Sequence, residues 1–133
     1  MLRRIAASAV ARAPVARFST RAAASRVKEL TSHEEYEKLI ANPDAKSVVY
    51  FTAQWCGPCK MISPIYAQLS NAHKDVNFVK VDVDDLDTTA HAAGVRSMPT
   101  FQFYVNGKIQ PTLGFSGADP NLLQVTVNKL KQL

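Results

Sequence analysis

Two cysteines stand two residues apart in the string QWCGPCK (54–60), beside the only tryptophan, Trp55, and ahead of Lys60. Such a pair serves three kinds of chemistry. A structural zinc site needs four ligands, and the chain has no further cysteine to complete one. His33, His73 and His91 are too widely spaced to supply the missing half. A disulfide that acts only as a staple removes loop entropy from the unfolded chain, and a two-residue gap encloses almost no loop. Thiol–disulfide exchange fits better, because each neighbour then has a part.

Cysteine attacks as the thiolate, and a free thiol with a pKa near about 8.5 is mostly protonated at neutral pH. A helix N-terminus lowers that barrier, since its unpaired N–H groups and positive dipole end favour an anion. Cys56 falls where a strand should give way to a helix, and so is expected to be the exposed nucleophile. Cys59 lies one turn in, shielded yet within reach of the Cys56 sulfur. Pro58 suits an early helical position because it has no N–H to leave unpaired. Gly57 lets a client backbone approach closely. In the sequence of events that follows, Cys56 attacks a client disulfide and Cys59 then resolves the mixed disulfide.

The elements that must hold this pair can be read in order. VKEL (27–30) is a candidate first strand. TSHEEYEKLIAN (31–42) reads as a helix, with Ser32 and Glu35 as a capping box and an apolar stripe of Tyr36, Leu39 and Ile40. SVVYFTA (47–53) has no polar alternation, as expected of a central strand buried on both faces. The helix entered through the cysteines should run to about residue 72, apolar at Met61, Ile62, Ile65, Tyr66 and Leu69 and kinked at Pro64. VNFVKVDV (76–83) is a strand, and DLDTTAHAAG (85–94) a short helix closed by Gly94.

TFQFYV (100–105) and a strand beginning near Lys108 flank Asn106–Gly107, the dipeptide of a tight hairpin. Pro111 should sit in an edge strand or bulge. Asp119 and Pro120 open a last helix with Leu122, Leu123, Val125, Val127 and Leu130 as candidate anchors. The order βαβαβαββα implies an α/β sandwich, a mixed sheet of about five strands flanked by about four helices.

The chain carries a formal charge of +5, which invites a nucleic-acid or lipid reading, but its distribution refuses it. Six of the sixteen basic residues are arginines in the first 26 positions, ahead of the first acid, Glu29. Residues 27–133 are left with ten basic and eleven acidic residues, a net of −1. The first 26 residues, rich in Arg and Ala and free of acids, have the composition of an organelle transit peptide. Leu2, Ile5, Ala6, Ala9 and Ala13 would share one side of a helix ended by Pro14. The expectation is a mitochondrial presequence over 1–26, cleaved within 18–26, and one domain over 27–133 in the matrix. No apolar run approaches the eighteen residues of a membrane span.

The string WCGPCK, with SMPT (97–100) running into FQFYVNGK, resembles the active-site landmarks of the thioredoxin family, and the resemblance covers roughly residues 27–133. It implies a thioredoxin-like fold and a protein-disulfide reductase with Cys56 and Cys59 as its redox disulfide. It also implies a cis peptide before Pro99, with Met98 offering main-chain groups to an extended client. Trp55, Gly57, Pro58, Val95 and Gly117 would line the apolar groove around Cys56. The dithiol carries the electrons itself, so no bound cofactor or metal is implied. Electrons would come from NADPH through a thioredoxin reductase, and clients would be disulfide-containing proteins such as peroxiredoxins, served by a monomer.

Two departures accompany the resemblance. The family often places a buried Asp in the central strand to accept the second cysteine's proton, with a lysine beside it. Here those positions are Tyr50 and Lys80. A tyrosine of pKa near about 10 is a poor base at neutral pH, so water or another group must serve Cys59 while Tyr50 fills core. The stretch between Gly107 and Gly117 is also about two residues longer than usual, which places a bulge or wide turn near Pro111. An oxidase or isomerase of the same fold is the nearest rival, opposed by the Gly57–Pro58 pair between the cysteines. A binding module whose redox chemistry is incidental is the other, opposed by the intact cysteine pair.

Overall fold

A computed structural model describes residues 25–133, so all but the last two residues of the expected leader lie outside the described part. Ten elements follow one another: β1 (Lys28–Glu29), α1 (His33–Ile40), β2 (Lys46–Thr52), α2 (Gly57–Ala72), β3 (Asn77–Asp82), α3 (Asp87–Ala92), β4 (Thr100–Val105), β5 (Lys108–Ile109), β6 (Phe115–Ser116) and α4 (Pro120–Lys131). The sheet order is β1-β3-β2-β4-β5, with β6 also on β4. β1, β3 and β2 are parallel, while β4 and its two short partners run antiparallel.

β2 is the axis of the fold, fully buried from Ser47 to Phe51. Its alternation sends Val48 and Tyr50 to one face and Val49 and Phe51 to the other. The first face meets Ile62, Tyr66 and Leu69 of α2 and Leu123, Val127 and Leu130 of α4. The second packs under Tyr36 of α1 and Ala90 of α3. Tyr66 crosses the larger core, its hydroxyl donating to Val48 O at 3.0 Å or Val79 O at 2.7 Å, which satisfies a fully buried polar group.

The differences from the sequence reading are local. β6 is a sixth strand, two residues long, that pairs Thr100 with Ser116 and Phe101 with Phe115. Pro111 lies in neither an edge strand nor a bulge but in a turn, the other form expected for the long 107–117 stretch; Leu113 N–H to Gln110 O closes it, and the fixed φ of Pro111 suits the second position. Asn106 and Gly107 both have positive φ, 51° and 84°, as a type I′ hairpin requires. Met61 is 74% exposed, and Leu122 and Val125 also face outward. In α4 the inward place goes to Thr126, whose hydroxyl is satisfied by Leu122 O at 2.7 Å.

At the start of α1, Ser32 accepts the Glu35 N–H as expected, but Glu35 reaches past it to the Thr31 N–H (2.7 Å) and hydroxyl (2.8 Å). The Thr31 N–H, then its hydroxyl, hold the Glu35 carboxyl down at about 2, with Lys28 adding to the effect. A carboxyl depressed on folding stabilises above its ordinary pKa and loses that contribution as pH falls toward the folded value. NMR titration of Glu35 is therefore expected to show a midpoint near 2; a midpoint at 4.5 would show that the Thr31 contacts are not formed.

Arg26, the last residue of the expected leader, is tied into the fold. Its guanidinium donates to the carbonyls of Ser70 (2.6 Å), His73 (3.2 Å) and Lys74 (3.2 Å) at the end of α2. Its N–H faces Ser70 Oγ and Asn71 Oδ1. A cation on the last carbonyls of a helix both satisfies them and complements the dipole. Arg26→Ala in the full chain should cost about 1–2 kcal/mol in denaturant unfolding, measured against the wild type. An unchanged midpoint would mean that the clamp is idle.

Candidate active site

The turn from β2 into α2 builds the site. The Cys56 N–H bonds to Ala53 O, and Cys56, in extended conformation, is the N-cap of α2. Cys56 and Cys59 are joined as a disulfide with Cα atoms 5.3 Å apart, and the Cys59 N–H donates to the Cys56 sulfur at 3.2 Å. That contact puts a helix N-terminal donor on the atom that must carry negative charge when the pair is reduced. Pro58 lies in the first turn, where its missing N–H costs nothing.

Cys56 is more enclosed than expected, 4% exposed against 1% for Cys59, because its sulfur turns inward onto the first turn of its own helix. The open surface beside it belongs to Trp55, at 66%. The indole N–H donates to Asp84 Oδ2 at 2.9 Å, which fixes the ring at the edge of the site.

The loop into β4 carries the second expected landmark. The Met98–Pro99 peptide is cis, and Pro99 O accepts the Gly117 N–H at 2.9 Å. Gly117 has φ 109°, a conformation that favours glycine, so this junction depends on its lack of a side chain. The Thr100 hydroxyl donates to Ser97 O or bonds Ser116 Oγ, joining the two segments again. Met98 packs against the core cluster that contains both cysteines. Val95 packs instead with the cluster on the α1–α3 face, so the groove residues do not all share one packing environment. Gly57 is open, with nothing near its Cα where a side chain would stand.

Tyr50 fills core, as expected, stacked on Phe101 at 4.9 Å. Its hydroxyl, however, reaches the active-site helix, 3.0 Å from Cys59 O and 2.8 Å from Ser63 Oγ. Ser63 Oγ in turn lies 2.8 Å from the same carbonyl. Two hydroxyl hydrogens serve three contacts, so both groups are engaged in holding the first turn of α2. Lys80 is not left alone, since Glu29 Oε1 lies 4.0 Å from its Nζ, although both are well exposed and the pair is weak.

Sequence reasoning missed Ser63 and Asp84. Ser63 carried a signal, since it lies four residues after Cys59 and so on the same side of the helix. Asp84 carried none, because only the tertiary fold brings it to Trp55. Among the described residues, no three His, Cys, Asp or Glu side chains converge as a metal-ligand set.

Known proteins resemble this chain in sequence and fold. A profile of the thioredoxin family matches residues 27–129. Human thioredoxin is 45% identical over 105 residues, spanning 78% of this chain and 98% of its own. Among solved structures, the oxidised form of mitochondrial thioredoxin 3 from Saccharomyces cerevisiae is 37% identical, covers 80% of this chain and 95% of its own, and gives a TM-score of 0.70. Another chain, 36% identical with a TM-score of 0.72 over 82% of this chain and 99% of its own, comes from work on the thiol resolving mechanism in yeast mitochondrial 1-Cys peroxiredoxin via glutathione/thioredoxin systems.

Proposed function

The chain belongs to the thioredoxin family and is a dithiol–disulfide oxidoreductase acting on protein disulfides, and from that premise we propose that Cys56 attacks the client and Cys59 resolves it. The observation that carries this assignment is the position of Cys56 as N-cap of α2, with an amide donor on its sulfur. The client disulfide approaches over Gly57, where no side chain obstructs it. Trp55, Val95, Met98, Pro99 and Gly117 form the surrounding groove, and the client's extended backbone pairs with Met98 across the cis Pro99. The Cys56 thiolate attacks one client sulfur and expels the other. The Cys59 thiolate then attacks the Cys56 sulfur, forming the intramolecular disulfide and releasing the reduced client. Tyr50 supports the active-site helix beneath this step without setting its rate, and Lys80 sets the local charge.

In this reading the oxidised pair is reduced again by NADPH through a thioredoxin reductase, and peroxiredoxins are among the clients. The arginine-rich, acid-free leader and the likeness to a yeast mitochondrial thioredoxin support a matrix location. Cleavage within 18–26 keeps the Arg26 clamp on α2 wherever it falls before Arg26. The protein works as a monomer and binds neither nucleic acid nor membrane. NADPH-coupled insulin reduction by the full chain with a thioredoxin reductase tests the route: steady NADPH oxidation that needs both chain and insulin is expected. No turnover, with the chain still able to cleave insulin when reduced chemically, would overturn the donor assignment.

A further inference from the structure

Resolution requires the Cys59 thiol to lose a proton, although Cys59 is 1% exposed and the nearby hydroxyls of Tyr50 and Ser63 are engaged with its carbonyl. A cavity of about 230 Å³ opens behind it, bounded by Cys59, Lys60 and Ser63 of α2, Glu29 of β1, and Lys80 and Asp82 of β3. With about 30 Å³ as a water molecule's share of liquid volume, the space holds several.

We propose that the carboxylate of Asp82 accepts the Cys59 proton through water in this cavity. Asp82 is only 7% exposed. Its Oδ1 accepts the N–H groups of Asp84 (2.9 Å) and Asp85 (3.3 Å), while Oδ2 has no hydrogen-bond partner among the described residues. A carboxylate oxygen without a protein donor, on the wall of a cavity with room for water, is the group such water should bond. β-ladder register explains how it comes to be there: Asp82 pairs with Thr52 at the end of β2, four residues before Cys56.

The other charged groups around the cavity do not compete. Lys60 and Lys80 are ammonium cations that favour a cysteine anion and have no lone pair to take its proton. Glu29 is 53% exposed at the rim and lies against Lys80. Asp84 is turned to the Trp55 indole, and Asp85 is exposed.

The step balances as follows. The Cys59 S–H proton passes to water, whose own proton passes to Asp82. The Cys59 thiolate attacks the Cys56 sulfur, the Cys56–client S–S bond breaks, and the client leaves as a thiolate. The protein dithiol is oxidised by two electrons and the client disulfide is reduced by two. Asp82 then returns its proton to solvent through the cavity.

This inference rests on Cys56 attacking and Cys59 resolving, and the test separates the two. The reduced full chain is mixed rapidly with a chromogenic aryl disulfide, whose first released thiolate reports attack and second reports resolution. Asp82→Asn keeps the Oδ1 acceptor for the turn. It should leave the first phase unchanged and slow the second at least about tenfold at pH 7. The defect should shrink as pH rises, because hydroxide then takes over the deprotonation of the thiol. Added formate should restore part of the rate, and Glu29→Gln should change neither phase. An unchanged second phase in Asp82→Asn, a slowing equal at every pH, or a defect that moves to Glu29→Gln would overturn the assignment. Cys59→Ser should stop after the first phase. A second phase there would sink the resolving role itself.

Discussion

Replacing Cys56 by serine is expected to lower client disulfide reduction by at least about a thousandfold, because no other sulfur stands in its place. Cys59 is one turn deeper, 1% exposed, and has no helix N-terminal donor on its own sulfur, whereas the Cys59 N–H itself serves Cys56. A serine hydroxyl at position 56 keeps the N-cap interaction, so the fold and its unfolding midpoint should be nearly unchanged. The measurement is insulin reduction alongside denaturant unfolding. Activity within tenfold of wild type would remove Cys56 from the chemistry. A matching loss of stability would mean that the variant reports on folding.

The second large effect lies beneath the site. Tyr50→Ala should cost about 3–5 kcal/mol, since it empties a fully buried aromatic position stacked on Phe101 and tilted against Tyr66, both at 4.9 Å. Tyr50→Phe keeps the ring and removes only the hydroxyl. Ser63 still bonds Cys59 O, so the loss should be about 1 kcal/mol. Because that hydroxyl holds the helix and takes no proton, Tyr50→Phe should resolve mixed disulfides at the wild-type rate across pH. Urea unfolding of the two variants checks the first pair of values, and stopped-flow resolution checks the last. A large rate loss in Tyr50→Phe without a stability loss would show that the hydroxyl takes part in proton transfer.

Most of the architecture was legible because local signals agreed with the global fold. The unbroken apolar run of β2, the Asn106–Gly107 hairpin and the Asp119–Pro120 helix start each name their element without tertiary help. What stayed hidden needed neighbours. Leu122 and Val125 read as anchors by type, yet the helical phase that buries Leu123, Val127 and Leu130 turns them outward and admits Thr126. β6 spans two residues, too few to show a period.

The site divides in the same way. Cys56, Cys59, Trp55 and the Met98–Pro99 turn stand in recognisable strings, so their types and spacing carry the chemistry. The inward turn of the Cys56 sulfur and the course of the Tyr50 hydroxyl are set by packing between β2 and α2. Asp82 falls within the strand read over 76–83, and only the tertiary fold, which pairs it with Thr52, shows that this acid is buried at the end of the ladder.

One capture experiment tests the central claim most directly. Reduced full chain carrying Cys59→Ser is mixed with a disulfide-containing client and analysed, without reductant, by intact and peptide mass spectrometry. A covalent complex of one client per chain, bonded at Cys56 and absent when Cys56 is also serine, is the predicted result. No complex, or a bond at any residue other than Cys56, would contradict the account.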